Sequence, residues 1–172
     1  YNEAQTWANS SFKRLWHLGY KGRFAFFRWP TFSGADDPLP GVNPLDGYHT
    51  YNRSEYRAWL SGTALKEFVA SLPNDYTKNI VAHSMGTMLT LEGLRQLYAR
   101  SGDSAADRIG AVVFASPDID MDVFSSAVIR IGPLGRKITV VAATNDRALA
   151  LSGRLAGGMT RVGAAEKAAI EQ

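Results

Sequence analysis

The chain has 172 residues, 45 % hydrophobic and 20 % charged, which is enough for one buried core and lies far from the composition of disordered segments. Its 19 Lys and Arg and 16 Asp and Glu give a formal net charge of +3 scattered along the sequence, without the basic stripe a phosphate backbone needs, so nucleic acid is not an expected partner. With no cysteine there is no disulfide framework, thiolate metal site or cysteine nucleophile, and no apolar run approaches the roughly 18 residues of a membrane span.

The opening Tyr1-Asn2-Glu3 enters helical periodicity at once, where a natural chain normally begins with Met or a processed end. We therefore expect an excised fragment, with one domain over residues 1–172 truncated at both ends. Localisation is left open. Between Asn2 and Gly19, Trp7, Phe12, Leu15, Trp16 and Leu18 fall near helical spacing, and Gly19 stands where a glycine ends a helix. "RFAFFRW", Arg23 to Trp29, is aromatic and β-prone and reads as a buried strand stopped by Pro30.

Residues Pro30 to Gly47 hold four of the seven prolines and read as a long irregular loop. Helical spacing returns from Ser54 through Leu72, ahead of Pro73-Asn74. "NIVAH" then reads as a strand, "MGTMLTLEGLRQLYAR" as a helix, and "IGAVVFASPDID" as a strand ending at Ser116-Pro117. A short helix follows from Met121 to Ile131. "KITVVAATNDRALALSGRLAG" supplies another strand, a loop at Asn145-Asp146 and a helix closed by Gly157-Gly158.

Continuous apolar strands alternating with helices indicate an α/β fold, a three-layer sandwich with a mostly parallel sheet. In such sheets the chemistry gathers beyond the carboxyl ends of the strands, where Ser84, Asp118 and Asp146 all fall. Ala82-His83-Ser84-Met85-Gly86 matches the strand-to-helix turn G-x-S-x-G, with alanine at the first small position. Small flanking residues suit a strained turn in which strand and helix cross closely. At a helix N-terminus Ser84 would gain from the dipole, and the Met85 N–H is placed to donate to a tetrahedral oxyanion. The plainer alternative is that Ser84 only caps the helix.

A serine nucleophile needs a base, and the base needs a carboxylate, in the chain order serine, acid, histidine. Asp146 is the first candidate acid and Asp118 the alternative; either could be a helix cap instead. Asp120 and Asp122 read as first-turn charges favoured by the helix dipole. No metal or other cofactor is called for. The chain has only His17, His49 and His83, and none follows Asp146. His83 belongs to the turn and should point away from Ser84, His17 falls within the first helix, and His49 lies in the loop before the second.

Taken together, "YN" at the start, "FFRWP", "IVAHSMGT", "FASPDIDMDVF" and "ITVVAATNDRALALSGRLAGG" resemble a bacterial family of alpha/beta-hydrolase-fold proteins of unknown function, related to serine esterases and lipases. In that family a strand ending His-Gly-Tyr-Asn precedes the first helix, so the resemblance implies that Tyr1-Asn2 closes such a strand and that this loop gives the second oxyanion donor. It implies Ser84 as nucleophile and Asp146 as acid. It also implies a catalytic histidine beyond "RVGAAEKAAIEQ", so that the alpha/beta-hydrolase fold is incomplete here and the segment alone inactive.

The expected function is hydrolysis of a small-molecule ester or lipid-like substrate through an acyl-enzyme on Ser84. The rival is a non-catalytic module binding an apolar ligand or a protein partner through Pro30 to Asn52, with Trp29, Phe32, Tyr48 and Tyr51 as its surface.

Overall fold

The computed structural model describes residues 4–31, 46–143, 149, 152–154 and 157–165, with the side chains of Ala4 and of residues 46–48 outside the description. The chain forms two compact units, Tyr1–Ser54 and Glu55–Gln172.

In the first unit, α1 (Ala4–His17) ends as its sequence predicts. Gly19 adopts φ +92°, its N–H donates to the Trp16 carbonyl at 3.0 Å, and the Tyr20 N–H reaches back to Leu15 at 3.0 Å. This closure satisfies carbonyls the helix would leave open. Arg23 to Trp29, expected as a strand, pairs with no strand among the described residues. Its aromatic side chains pack on α1 instead, with Phe24 and Phe12 centroids 5.4 Å apart and Phe26 and Trp7 6.4 Å apart. β-propensity measures fit to a pleated neighbour, and without one the same residues settle on a helix.

The second helix, α2 (Asp46–Ser71), starts eight residues before the expected Ser54. No glycine or proline interrupts the stretch from Tyr48 to Leu60, and a helix once nucleated gains a hydrogen bond for each residue it adds. His49, expected in a loop, is therefore helical.

The second unit is built on a parallel sheet of order β1-β2-β3: β1 (Lys78–His83), β2 (Ile109–Ala115) and β3 (Ile138–Val141). Between β1 and β2 run α3 (Gly86–Ser101) and the short α4 (Ser104–Arg108); α5 (Met121–Arg130) and a 3-10 turn at Gly132–Lys137 lead to β3. Gly62 of α2 faces Glu92 and Gly93 of α3, and a Cβ on Gly93 would stand 3.2 Å from the Gly62 carbonyl, so this pair of glycines permits a close helix crossing.

Ile109, Val112 and Phe114 of β2 are buried with Met88, Leu91, Leu94 and Leu97 of α3. Phe114 meets Phe124 of α5 edge-on, with ring centroids 6.3 Å apart. Val81 and Val141, on the alternate face of their strands, are more than half exposed. Phe114 therefore anchors the packed face. Phe114→Ala is expected to cost about 3–5 kcal/mol, from lost burial and the cavity left behind; a urea titration with an unchanged midpoint would contradict this packing.

Candidate active site

Between His83 at the end of β1 and Gly86 at the start of α3, the chain reverses through two residues. Ser84 has φ +52°, the left-handed conformation that costs an L-residue about 1–2 kcal/mol. Four hydrogen bonds hold it there. Its N–H donates to the Ala115 carbonyl at 3.1 Å, and its own carbonyl accepts from Thr87 N–H at 3.0 Å, Thr87 Oγ1 at 2.7 Å and Asp118 N–H at 3.4 Å. Thr87 is wholly buried, so the anchor is a fixed one.

The helix does not use Ser84 as a cap. The residue at the N-cap of α3 is Met85, with φ −58° and ψ −21° and no side-chain cap bond. Among the described residues neither the Ser84 hydroxyl nor the Met85 N–H makes a hydrogen bond. A strained, half-buried serine with an uncommitted hydroxyl, next to an uncommitted backbone donor at a helix start, has the parts of a nucleophile and half an oxyanion hole. The expected reason for Gly86 does not hold: a Cβ built there meets nothing within 4 Å.

Sequence reasoning passed over Ser116. His83 pairs with Ala115, so Ser84 and Ser116 leave adjacent strands side by side, and Ser116 also has a positive φ, +45°. The sequence carries no signal for this conformation, since Pro117 steers the residue before it toward extended backbone at negative φ. The Ser116 N–H donates to the Val141 carbonyl at 2.8 Å, so β2 and β3 stay joined up to this turn.

Asp118, two residues on, is buried with 4 % of its surface exposed. Its Oδ1 accepts from Ser152 Oγ at 2.7 Å and lies 3.4 Å from Arg161 Nε. Glu55 stands near this pair; burial raises its carboxyl above the ordinary carboxylate value, Arg161 pulls it down and Asp118 pushes it up. Asp120, expected as a first-turn charge, is instead the N-cap of α5, accepting from Asp122 N–H at 2.9 Å and Val123 N–H at 3.1 Å. Asp122 does lie in the first turn.

The segment Thr160–Ala165 fastens this turn from the other side. Met121 N–H donates to Thr160 O at 3.2 Å, Val162 N–H to Ile119 O at 3.0 Å, and Gly163 N–H to Pro117 O at 2.9 Å. Backbone approaches backbone so closely at Gly163 that a Cβ would lie 2.6 Å from the Ser116 carbonyl carbon and 2.7 Å from Pro117 N. Neither atom can swing aside. Gly163→Ala is expected to destabilise the fold by about 1–3 kcal/mol through overpacking, seen as a lower urea midpoint; unchanged stability would mean that the approach is looser.

With this geometry in view, the family of alpha/beta hydrolases of unknown function (DUF900) matches residues 6–171. The chain belongs to that family. Comparison with curated proteins and with solved structures gave no match. The match spans nearly all 172 residues and agrees with the parallel α/β architecture.

In this alpha/beta hydrolase, Asp146 and Tyr1, the expected acid and second oxyanion position, lie outside the described residues, as does Phe32. His17 ends α1, His49 lies on α2 with an exposed side chain, and His83 ends β1, also exposed. Trp29 and Tyr51 are half-buried, and the Tyr48 side chain is outside the description. A cavity of about 410 Å³ lined by Trp59, Leu91, Arg95 and Arg130 includes none of Ser84, Met85 and Asp118. Among the described residues no group of three or more His, Asp or Glu could hold a metal ion, and no helix is long and apolar enough to cross a membrane.

Proposed function

We propose that this alpha/beta hydrolase cleaves a carboxylic ester, small or lipid-like, through an acyl-enzyme formed on Ser84. The observation that carries the reading is the left-handed Ser84, held between β1 and α3 with its hydroxyl and the Met85 N–H both uncommitted among the described residues.

In this reaction Ser84 Oγ attacks the ester carbonyl and gives its proton to a general base. The Met85 N–H and a donor near Tyr1 stabilise the oxyanion, the alcohol leaves with the proton, and water releases the acid by the reverse route. A histidine serves as the base, and Asp146 orients it. Asp146 is preferred to Asp118 because the Asp118 carboxylate already serves Ser152 and Arg161.

A fluorophosphonate probe tests the proposal in the full-length protein. Stoichiometric labelling of Ser84, with turnover of a p-nitrophenyl ester, is the expected result. A folded full-length protein that takes up no label would reject it.

A further inference from the structure

Ser116 is the second left-handed serine at the carboxyl edge of the sheet, with φ +45° beside Ser84 at +52°. Its conformation runs against its own chirality and against Pro117, which favours extended backbone at negative φ in the residue before it. The chain on either side holds it there. Its N–H donates to the Val141 carbonyl at 2.8 Å, Pro117 is fully buried, and the Pro117 carbonyl accepts from Gly163 N–H at 2.9 Å. A strained residue fixed from both sides is the kind of outlier from which a functional role can be argued.

Strand register brings the two serines to one place. Ala82 pairs with Phe114 and His83 with Ala115, so Ser84 and Ser116 follow at equivalent positions one strand apart, a spacing of about 5 Å. Both turn left-handed at that point, so their side chains leave the sheet in the same sense. Both are half-buried, and among the described residues the Ser116 hydroxyl, like that of Ser84, makes no hydrogen bond. A hydroxyl at this spacing from a nucleophilic oxygen can reach atoms bonded to the carbon under attack. In an ester these include the carbonyl oxygen and the alkoxy oxygen. The Met85 N–H serves the first in the reaction proposed above, which leaves the second for Ser116.

We propose that Ser116 is a further catalytic residue, whose O–H donates a hydrogen bond to the alkoxy oxygen of the ester as its bond to the carbonyl carbon breaks. This rests on the serine-hydrolase reading above. The bond from Ser84 Oγ to the carbon forms, and the electron pair of the breaking C–O bond goes to the alkoxy oxygen. That oxygen takes the proton that Ser84 gave to the base, and Ser116 keeps its own. Its hydrogen bond strengthens as negative charge builds on the leaving oxygen, so it matters most for alcohols that leave poorly.

The test compares kcat/KM, which reports acylation, for the p-nitrophenyl, phenyl and ethyl esters of one short-chain acid with the full-length protein. Ser116→Ala is expected to lower the ethyl-ester value by about 10-fold to 100-fold and the p-nitrophenyl value by no more than about 3-fold, with the phenyl ester between them. Ser116→Gly lacks the same hydroxyl and adopts positive φ freely, so it should reproduce the pattern and decides the matter where Ser116→Ala does not fold. A purely structural Ser116 would lower all three values by one factor, or leave all three unchanged; either result overturns the proposal. Wild-type protein that cleaves none of the esters and takes no fluorophosphonate label overturns the hydrolase reading and the role of Ser116 with it. Labelled, active wild type whose variants keep the three esters in their original ratio overturns the role of Ser116 alone.

Discussion

Ser84→Ala in the full-length protein is expected to lower ester turnover by about 10⁵-fold to 10⁶-fold and to abolish fluorophosphonate labelling, with the fold retained. The size follows from losing a covalent nucleophile whose partners act only through it. What residual rate persists comes from binding and the oxyanion donors. Ser84→Gly separates chemistry from strain. It removes the same hydroxyl, but glycine adopts φ +52° without the penalty of a side chain, so it should stabilise the protein by about 1 kcal/mol relative to Ser84→Ala while being just as inactive. Unaltered turnover in Ser84→Ala would end the acyl-enzyme reading, and equal urea midpoints for the two variants would mean that the turn relaxes when the serine is replaced.

Asp146→Asn and Asp118→Asn should fail in opposite ways. The first is expected to reduce turnover about 10⁴-fold by leaving the base in the wrong tautomer, as removal of a triad carboxylate does, with the unfolding midpoint little changed. The second strips the charge from a carboxylate facing buried Arg161, and breaking a buried ion pair by removing one partner costs about 3–5 kcal/mol. Its principal signature is a collapse of the urea midpoint. Turnover at a fixed fraction folded distinguishes the two aspartates. If Asp118→Asn lost 10⁴-fold at full folding while Asp146→Asn kept its rate, Asp118 would be the acid.

Much of this was legible because the informative signals were local. The run from Asn79 to Arg100 contains an apolar strand, a small-x-Ser-x-Gly turn and a 3.6-residue periodicity, all within one short stretch of chain, and the structure has β1, the left-handed Ser84 and α3 in that order. Gly19 and Gly157-Gly158 were readable for the same reason: positive φ after a helix is a property of the residue itself.

The misreadings involve partners distant in sequence. Arg23 to Trp29 has strand residues, yet whether they form a strand depends on a neighbour that no local pattern supplies. Asp118 and Asp120 stand two residues apart in one motif and do unrelated work. One is turned inward to Arg161 and Ser152, the other caps α5, and only the return of the chain at Thr160–Ala165 separates them. The start of α2 is the local exception: helical spacing is clear only from Ser54, yet between Pro44 and Ser54 there is no further proline, and after Gly47 no further glycine, to stop the helix from starting at Asp46.

The bond between the Asp118 N–H and the Ser84 carbonyl makes the conformation of the serine a collective property. A turn that is locally uphill is populated only while the neighbouring strand's exit stays in place, so partial opening around Pro117 would release Ser84 into an ordinary conformer with most of the sheet intact. Competence for attack would then be a sub-population of the native ensemble. Its size would be set by the local opening free energy of the β2 exit, a quantity that amide hydrogen exchange at Asp118 reads directly.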